Sequence, residues 1–351
     1  MPLPRKILII RLGALGDIVH TLPVLRPLRD RIPDAHIAWM VEDAWADLLR
    51  GHPLIDEIIT IPKRRWRSGF LRPWQWLETA GDVLAERRRI AARRFDLTID
   101  FQGNLKSGSI AVFCGARERL GYAHSDSREM NRIFMTRCIM VDDRRLHRSE
   151  KCLRLLSGVI GECAYAPPDL PTSPEDAAFA EESIARIGKR HVVAIHPATS
   201  SFGAVKRWPV ASYAAVADAL AQKDRATILI TWGPGERELA EDLAAAMKAP
   251  ATISPETKSL GQLVALLRRC DLFIGADTGP LHIAAALGTP TVAIFGPKDP
   301  VVYAPRGSKV RVVRLDLPCS PCTKRTCPDP ICMTELRPEA VLSAAREMIR
   351  T

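Results

Sequence analysis

The residues richest in chemistry lie near the end of the chain, in Gly275-Ala276-Asp277-Thr278-Gly279-Pro280-Leu281-His282. The apolar run Leu272 to Ile274 before them reads as a buried parallel strand. Asp277 or Thr278 suits a helix cap, and Pro280 suits the first helical position, where no N–H is needed. Gly288 and Pro290 then end the helix, and Thr291 to Phe295 reads as the next strand. A helix starting at the carboxyl edge of a parallel sheet offers free N–H groups and the positive end of its dipole, a combination that holds phosphate. His282, in the first turn, lies beside any anion bound there. An ordinary strand–turn–helix with a capping aspartate would use the same residues.

Two further clusters also follow strand ends. Gly13-x-x-Gly16-Asp17 is not the dinucleotide fingerprint, which needs G-x-G-x-x-G. Its glycines permit a tight turn and close approach of a ligand, and Asp17 at the mouth of that turn suits a general base. A plain N-cap aspartate is the alternative. Thr199, Ser200 and Lys206 follow a later strand. Hydroxyls with one lysine are a common way to hold a pyrophosphate; a solvated turn with a packed Trp208 is the alternative there. The chain contains no D-x-D pair, so the helix end and Lys206 would have to neutralise a departing diphosphate without a carboxylate-held cation.

In residues 63–94, ten Lys/Arg stand against three Asp/Glu, and Lys63-Arg64-Arg65-Trp66-Arg67 and Trp74-Gln75-Trp76 mix charge with aromatic rings. This reads as a docking surface for an anionic acceptor or a membrane face, with 86–94 as a solvated helix face. A nucleic-acid groove has similar composition, but no nucleic-acid-binding signature accompanies it. Cys319-x2-Cys322-x4-Cys327-x4-Cys332 has zinc-knuckle spacing with cysteine at the usual histidine position. The glycines of such a knuckle are absent, and Pro318, Pro321, Pro328 and Pro330 stiffen the loop. Reduced thiols or a labile disulfide are therefore expected, with a structural metal as the alternative.

The elements that position these groups alternate strand and helix, as a doubly wound α/β fold requires. Lys6 to Ile10, Ile37 to Val41, Ile58 to Ile61 and Phe95 to Phe101 read as strands. Ile18, Leu22, Leu25, Leu28 and Ile32 recur at helical spacing, with Pro23 and Pro27 expected to kink that helix. The polar, proline-rich stretch 166–176 reads as a linker. Beyond it, His191 to Ile195 and Ala226 to Thr231 are strands that again feed small-residue turns. Two domains follow, 1–170 and 171–335, with 336–351 as a C-terminal helix able to pack back on the N-terminal domain.

The 351 residues and 47% hydrophobic content allow two full cores, and the formal net charge of +10 points to an anionic partner. No run approaches 18 apolar residues, and the N-terminal apolar run is too short for a signal sequence, so a cytoplasmic location is expected. Nine cysteines in a reducing compartment are mostly free thiols, ligands or core residues.

LGALGDIVHTLP, DFQGNLKS, IHPATSSFGAVKRWP and GADTGPLHIAAALGTPTVAIFGPKDP together resemble glycosyltransferase family 9, the bacterial lipopolysaccharide heptosyltransferases. The resemblance covers nearly the whole chain, in order. It implies a GT-B fold: two Rossmann-like domains facing a central cleft, with the donor mainly in the second. It also implies an inverting, metal-independent transfer, without cofactor, from ADP-L-glycero-β-D-manno-heptose to the lipopolysaccharide inner core by an enzyme peripheral to the inner membrane. Under it, Asp17 is the catalytic base, and Thr199, Ser200 and Lys206 contact the donor phosphates. Glu236 meets the donor nucleoside, and Asp277, Thr278, Gly279 and His282 form the heptose and diphosphate loop. Arg64, Arg65, Arg67 and Arg128 look like arginines that grip the acidic acceptor. The N-terminal half is closest to heptosyltransferase I, which acts on Kdo2-lipid A, whereas the cysteine-rich tail resembles heptosyltransferase II. Two other readings are a transferase of this family using another nucleotide sugar or acceptor, and a non-catalytic basic lipid- or nucleic-acid-binding protein with a four-cysteine knuckle. The last leaves Asp17 and the 277–282 loop without a role.

Overall fold

The computed structural model describes residues 3–123, 129–141, 143, 145–188, 191–322, 324 and 326–350, and of these the side chains of Arg64, Arg67, Phe70, Ser201, Phe202 and Arg350 lie outside the description. The chain divides into two compact units, Met1–Pro168 and Asp169–Thr351, two residues before the expected boundary. The residues just past the division already bond within the second unit: Arg268 donates to the Leu170 carbonyl at 2.7 Å.

The first unit is one parallel sheet of β1 (Lys6–Ile10), β2 (His36–Glu42), β3 (Glu57–Ile61), β4 (Leu97–Asp100), β5 (Glu118–Tyr122) and β6 (Arg137–Ile139), in the order β3-β2-β1-β4-β5-β6. Its helices are α1 (Leu15–Thr21), α2 (Leu25–Arg31), α3 (Lys63–Phe70), α4 (Trp76–Ala91), α5 (Leu105–Phe113) and α6 (Arg148–Ile160). Ile7, Leu8, Ile9 and Ile10 are all fully buried. A continuous apolar run is what a strand covered on both faces needs, and each such side chain contributes about 1.5–3 kcal/mol. The helix expected over 18–32 is two: Leu22-Pro23-Val24 forms a 3₁₀ turn between α1 and α2. Pro23 lacks an N–H to donate, so the ladder breaks there.

The second unit repeats the plan with β7 (Val192–His196), β8 (Thr227–Ile230), β9 (Thr252–Ile253), β10 (Leu272–Ala276), β11 (Thr291–Ile294) and β12 (Val310–Val313), ordered β12-β11-β10-β7-β8-β9. Its helices are α7 (Pro174–Ile187), α8 (Val210–Lys223), α9 (Arg237–Ala246), α10 (Leu260–Arg268), α11 (Gly279–Ala286), α12 (Pro300–Tyr303), α13 (Ile331–Thr334) and α14 (Pro338–Arg350). Trp208 is fully buried and donates through its indole N–H to the Leu336 carbonyl at 3.0 Å. Val341, Ala344 and Ala345 of α14 are buried in the core that α8, β10 and β11 share, and Arg346 pairs with Asp224 at the end of α8. The apolar stripe of α14 is filled within its own unit. Among the described residues, no helix is long and apolar enough to cross a membrane.

Candidate active site

Each sheet reverses its strand order once, between β1 and β4 in the first unit and between β7 and β10 in the second. Loops diverge at such a point, and the crevice outside the carboxyl strand ends is where open α/β sheets bind ligands. Both candidate clusters lie there.

In the first unit, β1 runs straight into Arg11. Its guanidinium is buried, donates to the Phe101 carbonyl beyond β4 at 2.5 Å, and lies 2.9 Å from the Asp17 carboxylate. Trp39 donates to the Arg11 carbonyl at 3.2 Å. Gly13 is needed because a Cβ there would sit 2.8 Å from the Trp45 indole nitrogen. Asp17 is not a cap. The N-cap of α1 is Ala14, which bonds through no side chain, so Asp17 stands in the first turn with its carboxylate directed at Arg11. Arg11, Asp17, Gln102, Tyr122, Arg148 and Lys151 line one hollow. Lys151 places its ammonium 4.7 Å from the centre of the Tyr122 ring, a cation–π contact. Three cations around one carboxylate suit a ligand that is itself anionic.

Beside this hollow, Asp100 ties the DFQGNLKS turn together. Its fully buried carboxylate accepts from the Gln102 and Gly103 backbone N–H groups at 2.9 and 3.1 Å, from Ser107 at 2.7 Å and from Asn131 at 2.8 Å. Burial pushes this carboxyl up from its ordinary value, and the four donors oppose that.

In the second unit, Lys206 reaches across the crevice to Asp277, donating to its main-chain oxygen at 2.6 Å and to Oδ2 at 2.9 Å. Gly203 gives the lysine room: a Cβ there would lie 3.0 Å from Lys206 Cε. His282 Nε2 lies 3.2 Å from the other Asp277 oxygen. Burial pushes the Asp277 carboxyl up, but the His282 hydrogen bond and the Lys206 charge outweigh it and bring it down to about 2. Thr278 occupies the N-cap of α11, yet its hydroxyl donates to the Ala276 carbonyl at 3.2 Å instead of capping. The Thr278 side chain thus caps none of the first N–H groups of α11, and the positive end of that helix dipole suits an anion. Thr199 is buried, and its hydroxyl has no hydrogen-bond partner among the described residues.

A neighbouring pair joins this edge. His196, beside Gly275 in the β7–β10 register, places Nδ1 3.2 Å from the Thr231 hydroxyl and Nε2 3.5 Å from Glu236. Glu236 also accepts from the Gly233 N–H at 2.9 Å. Burial lowers His196 below its ordinary value against the pull of Glu236.

The structure thus brings Thr199, Lys206, Asp277, Thr278, Gly279 and His282 to one strand edge, with Glu236 on the adjacent β8 turn and Ser200 exposed beside Thr199. In the basic segment, Arg65 pairs with Asp82 at 2.5 Å with its side chain 68% exposed, and Trp66 is half-buried against the first unit's core. Arg128 and the side chains of Arg64 and Arg67 lie outside the described residues. Cysteines 319, 322, 327 and 332 are free thiols. Burial pushes Cys332 up, and the nearness of Cys322, Cys319 and Cys327 acts in the same direction. Among the described residues, no three His, Cys, Asp or Glu side chains come together as a metal site.

Sequence reasoning missed Arg11, Gln102, Arg148, Lys151 and His196. A charged residue ending the apolar strand at Ile10 was the available signal for Arg11. Arg148 and Lys151 stand a turn apart on α6, far along the chain from Asp17, and no local pattern links them to it.

A model of glycosyltransferase family 9 (heptosyltransferase) matches residues 83–332. The chain is 29% identical over 364 aligned positions to lipopolysaccharide heptosyltransferase 1 of Pseudomonas aeruginosa, covering 98% of each. A glycosyl transferase family 9 structure from Veillonella parvula matches with a TM-score of 0.83 at 22% identity, covering 100% of this chain and 99% of that one. The E. coli heptosyltransferase WaaC with ADP matches with a TM-score of 0.75 at 24% identity, covering 98% and 99%. These structures share the fold of this chain.

Proposed function

The chain belongs to glycosyltransferase family 9, and from that premise we propose that it transfers the heptosyl group of ADP-L-glycero-β-D-manno-heptose to Kdo2-lipid A with inversion at the anomeric carbon. It is a glycosyltransferase, a heptosyltransferase of lipopolysaccharide core assembly. The observation that carries the finer reading is the Lys206–Asp277–His282 cluster beside the uncapped start of α11.

Asp17 takes the proton of the acceptor hydroxyl as that oxygen bonds to the anomeric carbon, and the bond from that carbon to the diphosphate breaks with its electrons leaving on ADP. The transition state resembles an oxocarbenium ion. Arg11 fixes the direction of the Asp17 carboxylate. Lys206 has three N–H groups; two are given to Asp277, and the third serves the departing phosphate. The α11 N–H groups and the Thr199 hydroxyl add neutral donors to the same charge. Glu236, steadied by His196, suits a ribose hydroxyl. Arg148 and Lys151 suit the carboxylate and phosphate groups of an acidic acceptor. The relative's assignment as heptosyltransferase 1 over 98% of both chains favours the first heptose.

Donor choice is tested by binding. Calorimetric titration with ADP-heptose, UDP-glucose and GDP-mannose is expected to show ADP-heptose at least about tenfold tighter, with Lys206→Ala weakening it. Equal or tighter binding of another nucleotide sugar would move the protein to a different donor within the family.

A further inference from the structure

The two helices of the basic segment form a hairpin. α3 and α4 abut so closely that a Cβ at Gly69 would sit 2.1 Å from the Thr79 hydroxyl. The tip between them carries large apolar side chains in water: Leu71 is 73% exposed, Trp74 80% and Leu77 91%. Trp76 beside them is half exposed. Trp66, by contrast, is half-buried against the first unit's core, so the tryptophans of this segment are sorted between an inward face and an outward tip. Clustered exposed apolar side chains of this size mark an interaction surface.

Charge chooses among partners. The hairpin and its continuation carry ten Lys/Arg against three Asp/Glu, and residues 63–72 carry five cations and no acid. A second copy of this chain would bring the same excess against it, on a molecule already at +10. An exposed apolar tip in a segment with this excess of cations fits an anionic bilayer: indole rings settle at the headgroup level, Leu enters the acyl boundary, and basic side chains of the segment meet lipid phosphate. We propose that the α3–α4 hairpin inserts Leu71, Trp74 and Leu77 into the interface of an anionic membrane. This rests on the reading that the acceptor is a lipid, and it names the surface by which the enzyme reaches it.

The test is flotation of the purified full-length protein with phosphatidylglycerol/phosphatidylethanolamine vesicles and with phosphatidylcholine vesicles, neither containing acceptor. The wild type is expected to float with the anionic vesicles and poorly with the neutral ones. Trp74→Ala/Leu77→Ser is expected to lower the partition coefficient at least about tenfold, with an unchanged melting temperature because both side chains are exposed. Undiminished flotation of the double variant would overturn the proposal. So would light scattering that shows a wild-type dimer made monomeric by the same changes, since the tip would then join two copies. Because no acceptor is present, loss of flotation and loss of transfer are separate results: an active enzyme that ignores vesicles refutes the hairpin alone, and an inactive one that floats refutes only the donor and acceptor assignment.

Discussion

Lys206 and Asp277 meet where β7 and β10 diverge, the ammonium donating both to the main-chain oxygen and to the carboxylate of the same aspartate. The lysine is thereby aimed along the crevice at the start of α11 and held there by a partner that His282 holds in turn. Lys206→Ala is expected to lower kcat/KM by about 10²-fold or more, the usual effect of removing one preorganised donor to a developing charge. Lys206→Arg restores charge without the geometry and is expected to recover only part of it. Steady-state kinetics that show a loss under about threefold for Lys206→Ala would remove this residue from leaving-group stabilisation.

The same pair predicts an acid limit. The folded Asp277 carboxyl, at about 2, lies below its ordinary value of 3.8. Its ionised form therefore stabilises the second unit above about pH 4, and the contribution of roughly 2 kcal/mol is lost as pH falls from about 4 to about 2. Acid unfolding followed by tryptophan fluorescence is expected to be flatter through this window in Asp277→Asn. Identical acid profiles would show that the pairing adds nothing to stability.

Arg11 acts through Asp17. Arg11→Ala is expected to lower kcat about 10-fold to 10²-fold with little change in donor KM, because it frees the Asp17 carboxylate while leaving the Lys206–Asp277–His282 cluster unaltered. It also strands the Phe101 carbonyl, at a cost of about 1–3 kcal/mol. Comparing kcat with KM, alongside a denaturant midpoint, separates the two effects. A change in donor KM alone would contradict the positioning role.

Asp17→Asn keeps the shape of the side chain and removes the base. Turnover is expected to fall by about 10²–10⁴-fold, while calorimetric ADP binding stays within about twofold. Retention of more than about a tenth of wild-type kcat would mean that another group takes the proton.

Asp100 is a prediction about folding. Its carboxylate satisfies four donors from the turn after β4, from α5 and from Asn131. Asp100→Ala removes the acceptor that all four share; Ser107 and Asn131 keep the Asn104 carbonyl, the Gln102 and Gly103 N–H groups lose theirs, and the first unit is expected to be destabilised by about 3 kcal/mol, whereas Ser107→Ala removes one donor and is expected to cost about 1–2 kcal/mol. Urea midpoints give both values. A loss under about 1 kcal/mol for Asp100→Ala would show that the turn does not depend on it.

The parts of this protein written locally were legible in its sequence. Continuous apolar runs such as Ile7 to Ile10 and Leu272 to Ile274 mark strands buried on both faces, and the small-residue turns after them mark the ligand edge. What was illegible depends on contacts between distant segments. Lys206 and Asp277 are 71 positions apart; the motifs put both at one diphosphate, but only the β7–β10 pairing shows that they bond to each other. Trp66 and Trp74 belong to one basic, aromatic segment, yet packing against the core turns one inward and leaves the other at a hairpin tip.

The most direct test of the account is transfer itself: purified protein, ADP-L-glycero-β-D-manno-heptose and Kdo2-lipid A in excess EDTA, with ADP release and acceptor mass followed together. Stoichiometric ADP and a gain of one heptosyl unit are predicted, with both lost in Asp17→Asn. ADP-heptose left intact and Kdo2-lipid A unchanged in mass, by a protein that binds the donor, would contradict the proposed reaction.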